Sequence, residues 1–270
     1  MIIFSFLGFF GCPKKMISSP PTPEEIFALN QKNTILNSTE IQNQHTVINL
    51  DIPVMKLSGK VDAWFVKEEG TYAVTELPGI GTQKMGYVKA SDLVWSMDPM
   101  TGNKILSGKE KKSQINNFEE TFLDMNARFL EATYAGLETI NESMAHKITA
   151  KDRMDVPVTL YFDTENFYLI RKDSTLMVNG GEIISNMYFD DFQTIEGNII
   201  ATKLTINMMN MEQIMTIEIL ESNLEKTPTI SIPTEIQELL EERKAPKEAT
   251  PEPEEIEIPE KLPVPPTKAE

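Results

Sequence analysis

The chain has 270 residues, of which 40% are hydrophobic and 24% charged, so it can bury a sizeable core in one large domain or two small ones. Its formal net charge of −16 argues against nucleic acid as a ligand and against electrostatic binding to anionic lipid headgroups. A single cysteine excludes an internal disulfide and a cysteine-cluster metal site, and two distant histidines, His45 and His146, offer little for zinc chemistry. No apolar run reaches the roughly 18 residues that a membrane span needs.

The N-terminal sequence MIIFSFLGFFGCPKK is apolar from Ile2 to Phe10 and then reaches Gly11 and the only cysteine, Cys12. A short apolar segment that ends in a small residue before a cysteine resembles a bacterial lipoprotein signal peptide. In that family the peptide is removed and the cysteine is acylated. The resemblance implies a signal peptide over residues 1–11 and a lipid anchor at Cys12. The alternative is an apolar N-terminus with an incidental cysteine.

A tether and a first helix follow. Residues 12–22 have no core-forming pattern and are predicted to be an exposed tether. The segment Pro23–Lys32 begins with a proline and two glutamates, which is typical of the first turn of a helix. Residues 23–243 are predicted to form the folded domain.

Most of that domain has a hydrophobic period of two residues, which indicates strands with one apolar face. The alternation is seen in the runs Met55–Phe65, Val158–Phe162, Met187–Phe189, Leu204–Met208 and Met211–Ile219. Turn signals such as Glu69-Gly70, Pro78-Gly79 and Glu196-Gly197-Asn198 separate the runs at short intervals. Closely spaced strands with hairpin-type breaks favour an antiparallel sheet over βαβ units.

Two later segments have helical character. Between Ser113 and Ala132 the apolar residues recur at three- and four-residue steps, which predicts one helix lying across the sheet. Pro233–Arg243 is predicted to be a short acidic helix that closes the domain. The fold class is therefore mainly β (α+β), with a single antiparallel sheet covered by two or three helices.

The C-terminal residues 244–270 are predicted to be a disordered tail rich in proline and glutamate, because apolar residues there are too sparse to form a core. Its expected role is solubility. The alternative is that the segment Ile256–Pro266 docks into a partner protein of the cell envelope.

Four stretches share turn motifs and spacing with one family: Thr75–Trp95, Ser96–Glu110, Leu160–Lys172 and Tyr188–Leu204. Their motifs are a strand ending in tryptophan, a hairpin of the form P..G...L.G.E, a hairpin opened by an aspartate, and a strand followed by a glycine turn. In this order they resemble the LolA/LolB-like superfamily of bacterial periplasmic lipoprotein carriers, including its outer membrane lipoprotein-sorting members. The resemblance implies a strongly curved sheet, or incomplete β-barrel, with helices as a lid over an apolar concavity that takes acyl chains.

Strand alternation, placed on that architecture, selects the residues expected to contact an apolar ligand. They are Phe65, Trp95, Leu160, Phe162, Leu169, Met187, Phe189, Met215 and Ile217. The helix stripe Phe118, Phe122 and Phe129 is expected to form the lid. Methionine suits a pocket for variable apolar ligands, because its side chain is flexible and polarizable.

Catalytic motifs are missing from the sequence, which has no H-E-x-x-H, no G-x-S-x-G and no phosphate-cradling glycine loop. We expect no enzyme activity, cofactor or metal. The predicted function is a periplasm-facing, outer-membrane lipid-anchored carrier or binding protein for lipid or lipoprotein acyl chains. The alternative is a cell-envelope interaction module whose core is filled by its own side chains.

Overall fold

The computed structural model describes residues 20–34, 41–120, 124–178, 181–209 and 211–244. The predicted signal peptide, the lipidation site Cys12, most of the tether, the lid residue Phe122 and all but the first residue of the predicted tail lie outside these ranges. The predictions about these residues are therefore not tested by the structure.

The described residues form thirteen strands and four α-helices. The strands are β1 Asn43–Ile52, β2 Leu57–Val66, β3 Gly70–Leu77, β4 Gly81–Val88, β5 Leu93–Asp98, β6 Gly102–Ile105, β7 Phe129–Ile140, β8 Ser143–Asp152, β9 Pro157–Asp163, β10 Leu169–Val178, β11 Gly181–Ile195, β12 Asn198–Met208 and β13 Met211–Ser222. The helices are α1 Pro23–Thr34, α2 Gly108–Glu120, α3 Met125–Arg128 and α4 Thr234–Lys244. The mainly β composition and the first and last helices are as the sequence predicts.

All thirteen strands belong to one antiparallel sheet in the order β6-β5-β4-β3-β2-β1-β13-β12-β11-β10-β9-β8-β7. Neighbours in this order are hairpin partners, except that β1 pairs with β13, for example through Leu50 and Met215. The two outermost strands, β6 and β7, do not pair with each other, so the sheet is curved but does not close into a barrel. The predicted incomplete barrel is confirmed.

The connection between the two outermost strands decides where the lid lies. Strand β6 ends at Ile105 on one edge of the sheet, and β7 begins at Phe129 on the opposite edge. The chain between them, which contains α2 and α3, must therefore cross the open side of the curved sheet. The helical segment lies across the sheet, as the sequence predicts.

The helices cover separate patches of the sheet. Helix α1 places Ile26 and Phe27 on a buried cluster from β7, β8 and β9. Helix α2 packs Ile115 and Phe118 against buried residues of β4 and β5, including Val94. Helix α4 places Ile236 against Leu93 and Trp95. These two residues point the other way from Val94 on β5, so α2 and α4 lie on opposite faces.

The prediction of one helix from Ser113 to Ala132 is wrong. Helix α2 ends at Glu120, and Asp124 then caps the single-turn helix α3 by accepting a hydrogen bond from the Ala127 amide at 2.9 Å. Phe129 begins strand β7 instead of continuing a helix. Phe129 follows Met125 of α3 by four residues and packs in the same buried cluster, so the apolar spacing looks helical although the strand has begun.

The strand predicted to start at Met55 in fact starts at Leu57. Residues Pro53–Met55 form a 3₁₀ turn, closed by Lys56 in the left-handed region with φ 50°. The proline favours the turn because its ring presets φ, and Met55 is left 56% exposed at its tip.

Candidate functional site

The concave face of the sheet encloses a cavity of about 520 Å³. Its floor comes from strands β1, β2, β3, β10, β11, β12 and β13, and its roof from α1, α2 and α3. The cavity lies where the chain that crosses from β6 to β7 bridges the curved sheet. It is within the range of about 300–1,000 Å³ that is typical of sites for small molecules.

A row of apolar side chains crosses the floor. Phe189 pairs with Leu204, and Leu204 pairs with Met215, so residues of three adjacent strands line the cavity side by side. Ile217 and Phe65 continue the apolar lining on β13 and β2. Their side chains point the same way because residues two apart in a strand share a face.

The roof adds polar groups that the fold already uses. The side-chain amide of Asn30 on α1 donates a hydrogen bond of 2.8 Å to the carbonyl oxygen of Phe167. The hydroxyl of Thr34 donates to the Asn30 carbonyl at 2.8 Å. These bonds stabilise the C-terminal half of α1 over the cavity, so neither group is available as a catalytic base or nucleophile.

Charge is sparse at the site. Of the described residues that line the cavity, Arg128 alone is ionised at neutral pH, and its guanidinium carbon lies 5.3 Å from the centre of the Phe129 ring. The Thr71 hydroxyl is buried, and no hydrogen-bond partner for it is found within the described part of the chain. Nowhere in that part do three or more His, Cys, Asp or Glu residues come together as a metal site would require. The arrangement suits apolar binding rather than acid–base chemistry.

Solved structures with a similar fold include two that match most of this chain. One is a DUF1329 family protein from Desulfovibrio piger, with a TM-score of 0.52, 10% identity, and coverage of 76% of this chain and 94% of that one. The other is LolA superfamily protein NE2245 from Nitrosomonas europaea, with a TM-score of 0.52, 13% identity, and coverage of 77% and 96%. The chain has a LolA-like fold. No protein-family model matches the sequence, and no curated protein matches it.

The LolA-like fold brings together part of the predicted ligand surface. Five of the nine predicted residues line the cavity: Phe65, Leu169, Phe189, Met215 and Ile217. Of the predicted lid residues, Phe118 lines it from α2. Contact with a ligand remains a prediction for all six.

Four residues of the predicted surface lie elsewhere. Leu160 and Phe162 are fully buried beneath α1, where the predicted lid residue Phe129 also lies. Met187 faces the same way as Phe189 but is not part of the cavity lining. For Leu160, Phe162 and Phe129 the physical reason is that α1 covers their part of the concave face.

Trp95 lies outside the cavity for a different reason. Its side chain is fully buried under α4, beside Ile236 and across from Gly86. The neighbouring Val94 points towards α2 instead. Trp95 therefore faces the convex side of the sheet, because strand alternation separates two faces without saying which one is concave.

The sequence prediction missed the contribution of β1. Gln44, Thr46 and Ile48 line the centre of the cavity floor, between Phe65 and Ala63 on one side and β13 on the other. Their run, QHTVI, contains polar residues on both faces and therefore lacks a strong alternation signal. Only the pairing of β1 with β13 places β1 near the middle of the sheet.

No helix of the described residues is long and apolar enough to cross a membrane.

A charged network lies on the convex face, away from the cavity. The guanidinium of Arg171 donates to the Asp173 carboxylate at 2.7 and 2.9 Å, and its carbon lies 5.1 Å from the ring centre of Tyr161 and 5.2 Å from that of Tyr188. Asp173 also accepts hydrogen bonds from the Tyr161 hydroxyl at 3.2 Å and the Asn186 amide at 2.8 Å. Every group has a partner, which indicates a structural role.

We expect Asp173→Ala to lower the free energy of unfolding by about 2–4 kcal/mol, because it leaves a half-buried guanidinium without its carboxylate. Urea unfolding measures the loss. The matched control is Glu218→Ala, which breaks the Lys60–Glu218 pair at 3.0 Å, where both side chains are more than 40% exposed. That variant should change stability little, because exposed pairs are worth little. Equal losses in the two variants would contradict a structural role for the network.

His146 gives the fold a pH dependence. It lies on β8, stacked on Phe167 at 5.7 Å, with its Nδ1 atom 3.2 Å from the Tyr134 hydroxyl. Burial lowers the pKa of His146 below its ordinary value, and the charge of Asp163 partly opposes the shift. The folded state therefore binds this proton less readily than the unfolded state.

The contribution of His146 to stability is fully present above the ordinary histidine pKa of about 6.5. It should decrease as the pH falls through that value towards the lowered pKa of the folded state. We expect the midpoint temperature of His146→Phe to fall less than that of the wild type between pH 7.5 and pH 5.5. Thermal unfolding followed by circular dichroism measures it. His45→Phe removes the other histidine, and this variant should still show the decrease in midpoint temperature that His146 causes. An identical pH profile for wild type and His146→Phe would contradict the expectation.

Proposed function

We propose that this LolA-like chain is a carrier or binding protein for an apolar ligand, either a lipid or the acyl chains of a lipoprotein. The observation that carries the proposal is the cavity of about 520 Å³, with an apolar floor and a roof made by the chain that bridges the two sheet edges. A module whose core is filled by its own side chains would not need such a space.

The energetics of an acyl chain fit this role. Burying an acyl chain contributes about 0.8 kcal/mol per CH₂ group, or roughly 10 kcal/mol gross for a long chain. Part of that energy must be spent on moving the roof, or the ligand would not be released. Of the roof helices, α2 holds its apolar side chains Ile115 and Phe118 only partly buried against the sheet, whereas α1 and α3 place buried residues in the cluster from β7, β8 and β9. Helix α2 would therefore lose the least burial on moving.

The binding step is passive in this proposal, with no catalytic residue, metal or cofactor. Its support is the chemistry of the lining, because Arg128 is the one ionised residue among the described residues that line the cavity. A general acid and base would need a second ionisable group within hydrogen-bond reach.

The protein would reach its ligand from a membrane. We propose that residues 1–11 are a signal peptide, that Cys12 is acylated and that 12–22 tether the domain to the outer membrane facing the periplasm. We also propose that the tail stays unfolded beyond Lys244, the last residue of α4. Two or three acyl chains would hold the protein stably on a membrane. Metabolic labelling with a palmitate analogue tests the anchor, and label retained by Cys12→Ser would overturn it.

Native mass spectrometry of the purified protein tests the function. We expect a population whose mass exceeds that of the chain by one lipid or fatty acid, and which loses this mass on collisional activation. A fluorescent fatty acid should compete with the bound species. The absence of a co-purified lipid, together with no binding of the fluorescent probe at tens of micromolar protein, would overturn the proposal in favour of an interaction module.

A further inference from the structure

The two ends of the sheet differ in chemistry. Because neighbouring strands are antiparallel, the β10–β11 turn, whose residues 179–180 are outside the described ranges, lies at one end together with five described turns, β1–β2, β3–β4, β5–β6, β8–β9 and β12–β13. The described residues of each of these five turns include a methionine or a branched aliphatic residue. These residues form the apolar rim: Val54, Met55, Ile80, Met100, Met154 and Met209.

Four of the six side chains of the apolar rim point into solvent, whereas Ile80 and Met154 are half-buried. Met100 is 76% exposed, Met209 70%, Val54 68% and Met55 56%. Tips of hairpins are usually polar, because turn chemistry favours Gly, Asn, Asp and Ser. Large apolar side chains at the tips of successive turns therefore need an explanation beyond folding.

The opposite end of the same sheet follows the usual rule. Its turns carry Lys67-Glu68-Glu69, Lys89-Ala90-Ser91-Asp92, Asn141-Glu142, Glu196-Gly197 and Thr164-Glu165-Asn166-Phe167-Tyr168, in which the two aromatic residues are half-buried. Both ends belong to one sheet with the same strands, so the difference does not come from the fold. It marks the apolar rim as the end that meets an apolar environment.

We propose that the apolar rim docks on the surface of a lipid bilayer, with its side chains inserted among the headgroups and upper acyl chains. The rim turns stand about two strand spacings, or roughly 10 Å, apart from β5–β6 to β12–β13, and about twice as far apart from β12–β13 to β8–β9. A row of isolated tips offers no continuous patch to a protein partner, which needs close shape complementarity. A fluid bilayer accepts each tip independently, and every inserted side chain adds to the affinity.

The charges beside the rim favour a zwitterionic membrane. Lys56 follows Met55 directly, whereas Asp98 accepts hydrogen bonds from the amides of Met100 and Thr101 at the base of their turn. Charges of both signs therefore border the rim, and the chain as a whole has a formal charge of −16. Binding should rest on apolar contact, so salt should weaken it little and anionic lipid should not strengthen it.

The rim also lies at the end towards which the apolar concave face continues. Beyond Phe189 on β11 that face carries Met187, and beyond Leu204 on β12 it carries Ile206 and Met208. Docking at the rim would bring this apolar strip next to the membrane. It does not require a ligand in the cavity, so it stands apart from the proposed binding function.

A local fluorescent probe tests the docking without interference from the apolar N-terminus. The full-length Cys12→Ser chain is given a single cysteine, as Met209→Cys on the rim or as Met144→Cys, which replaces a 47% exposed methionine near the opposite end. Each is labelled with an environment-sensitive nitrobenzoxadiazole dye and mixed with phosphatidylcholine vesicles that carry spin-labelled acyl chains. We expect a blue shift and quenching at position 209 and neither at position 144.

A second variant links the response to the rim itself. In the chain labelled at 209, Val54→Ser with Met55→Ser should raise the vesicle concentration for half-maximal response about ten-fold, whereas Met144→Ser should not change it. Equal responses at 209 and 144, no response at 209, or no effect of the double variant would overturn the proposal. A blue shift at 209 without vesicles that grows with protein concentration would also overturn it and assign the rim to a second copy of the chain.

Discussion

Replacing Ala63 by phenylalanine is expected to abolish binding of a fluorescent fatty acid while the midpoint temperature holds or rises. Ala63 lies on the cavity floor, paired with Thr46 on β1 and Ala73 on β3, and all three line the open space. A ring at this position would occupy volume that the proposed ligand needs. Because it fills a void instead of entering a packed core, it should gain contacts without forcing its neighbours apart.

The apparent affinity should fall at least about ten-fold, which corresponds to about 1.4 kcal/mol or the burial of two CH₂ groups. Ile217→Phe, on the opposite side of the floor, should have the same effect. Ala135→Phe is the matched control, since Ala135 is exposed on the edge strand β7. Probe titration and thermal unfolding measure both quantities. Unchanged binding in Ala63→Phe and Ile217→Phe with an intact fold would contradict the cavity as the ligand site.

The largest loss of stability is expected from Gly86→Ala, at about 3 kcal/mol or more. Gly86 pairs with Trp95 across β4 and β5, and the indole ring lies directly over it. A Cβ atom added at Gly86 would lie 2.6 Å from Cζ2 and 2.7 Å from Cε2 of that ring. The ring cannot move aside, because Trp95 is fully buried between Tyr72 and α4. Overpacking against a rigid aromatic ring is costly.

A double-mutant cycle isolates this contact. Trp95→Phe alone should also destabilise, since it leaves a cavity beneath α4. The combination Gly86→Ala with Trp95→Phe should be less destabilised than the sum of the two, because the smaller ring makes room for the new methyl group. Urea unfolding measures all four species. Strict additivity would show that the strain at Gly86 has another source.

The contact belongs to a row on the convex face that the sequence does not reveal. His45, Trp64, Tyr72, Gly86 and Trp95 lie opposite one another on five consecutive strands. His45 stacks on Trp64 with ring centres 4.2 Å apart, and Tyr72 contacts Trp95 at 6.0 Å. These residues look unrelated along the chain, because cross-strand neighbours meet only once the register is set.

Local chemistry made the elements of this fold predictable. Alternation over Val158–Phe162 and Leu204–Met208 fits strands β9 and β12, and Pro23 with its two glutamates fits the start of α1. These features depend on neighbouring residues alone. The same reasoning failed at Phe129, which follows Met125 by four residues and packs in the same buried cluster, so that a change from helix to strand has the spacing of one helix.

The candidate site was only partly predictable from the same pattern. Phe65, Phe189, Met215 and Ile217 were selected by alternation and do line the cavity, because they lie on strands near the middle of the sheet. Trp95 was selected by the same rule and lies on the other face. Leu160 and Phe162 lie on the concave face, but α1 covers them.

The sequence by itself therefore determined that the chain forms an antiparallel sheet with one apolar face and a few covering helices, since periods, turns and caps act over a few residues. The tertiary structure decided which face is concave, which part of it stays open and which residues share it. Those outcomes depend on the pairing of β1 with β13, about 170 residues apart, and on the chain that bridges β6 and β7. Contacts between such distant segments leave no trace in the local hydrophobic pattern, because each strand keeps the same alternation of apolar and polar residues whichever strand it pairs with.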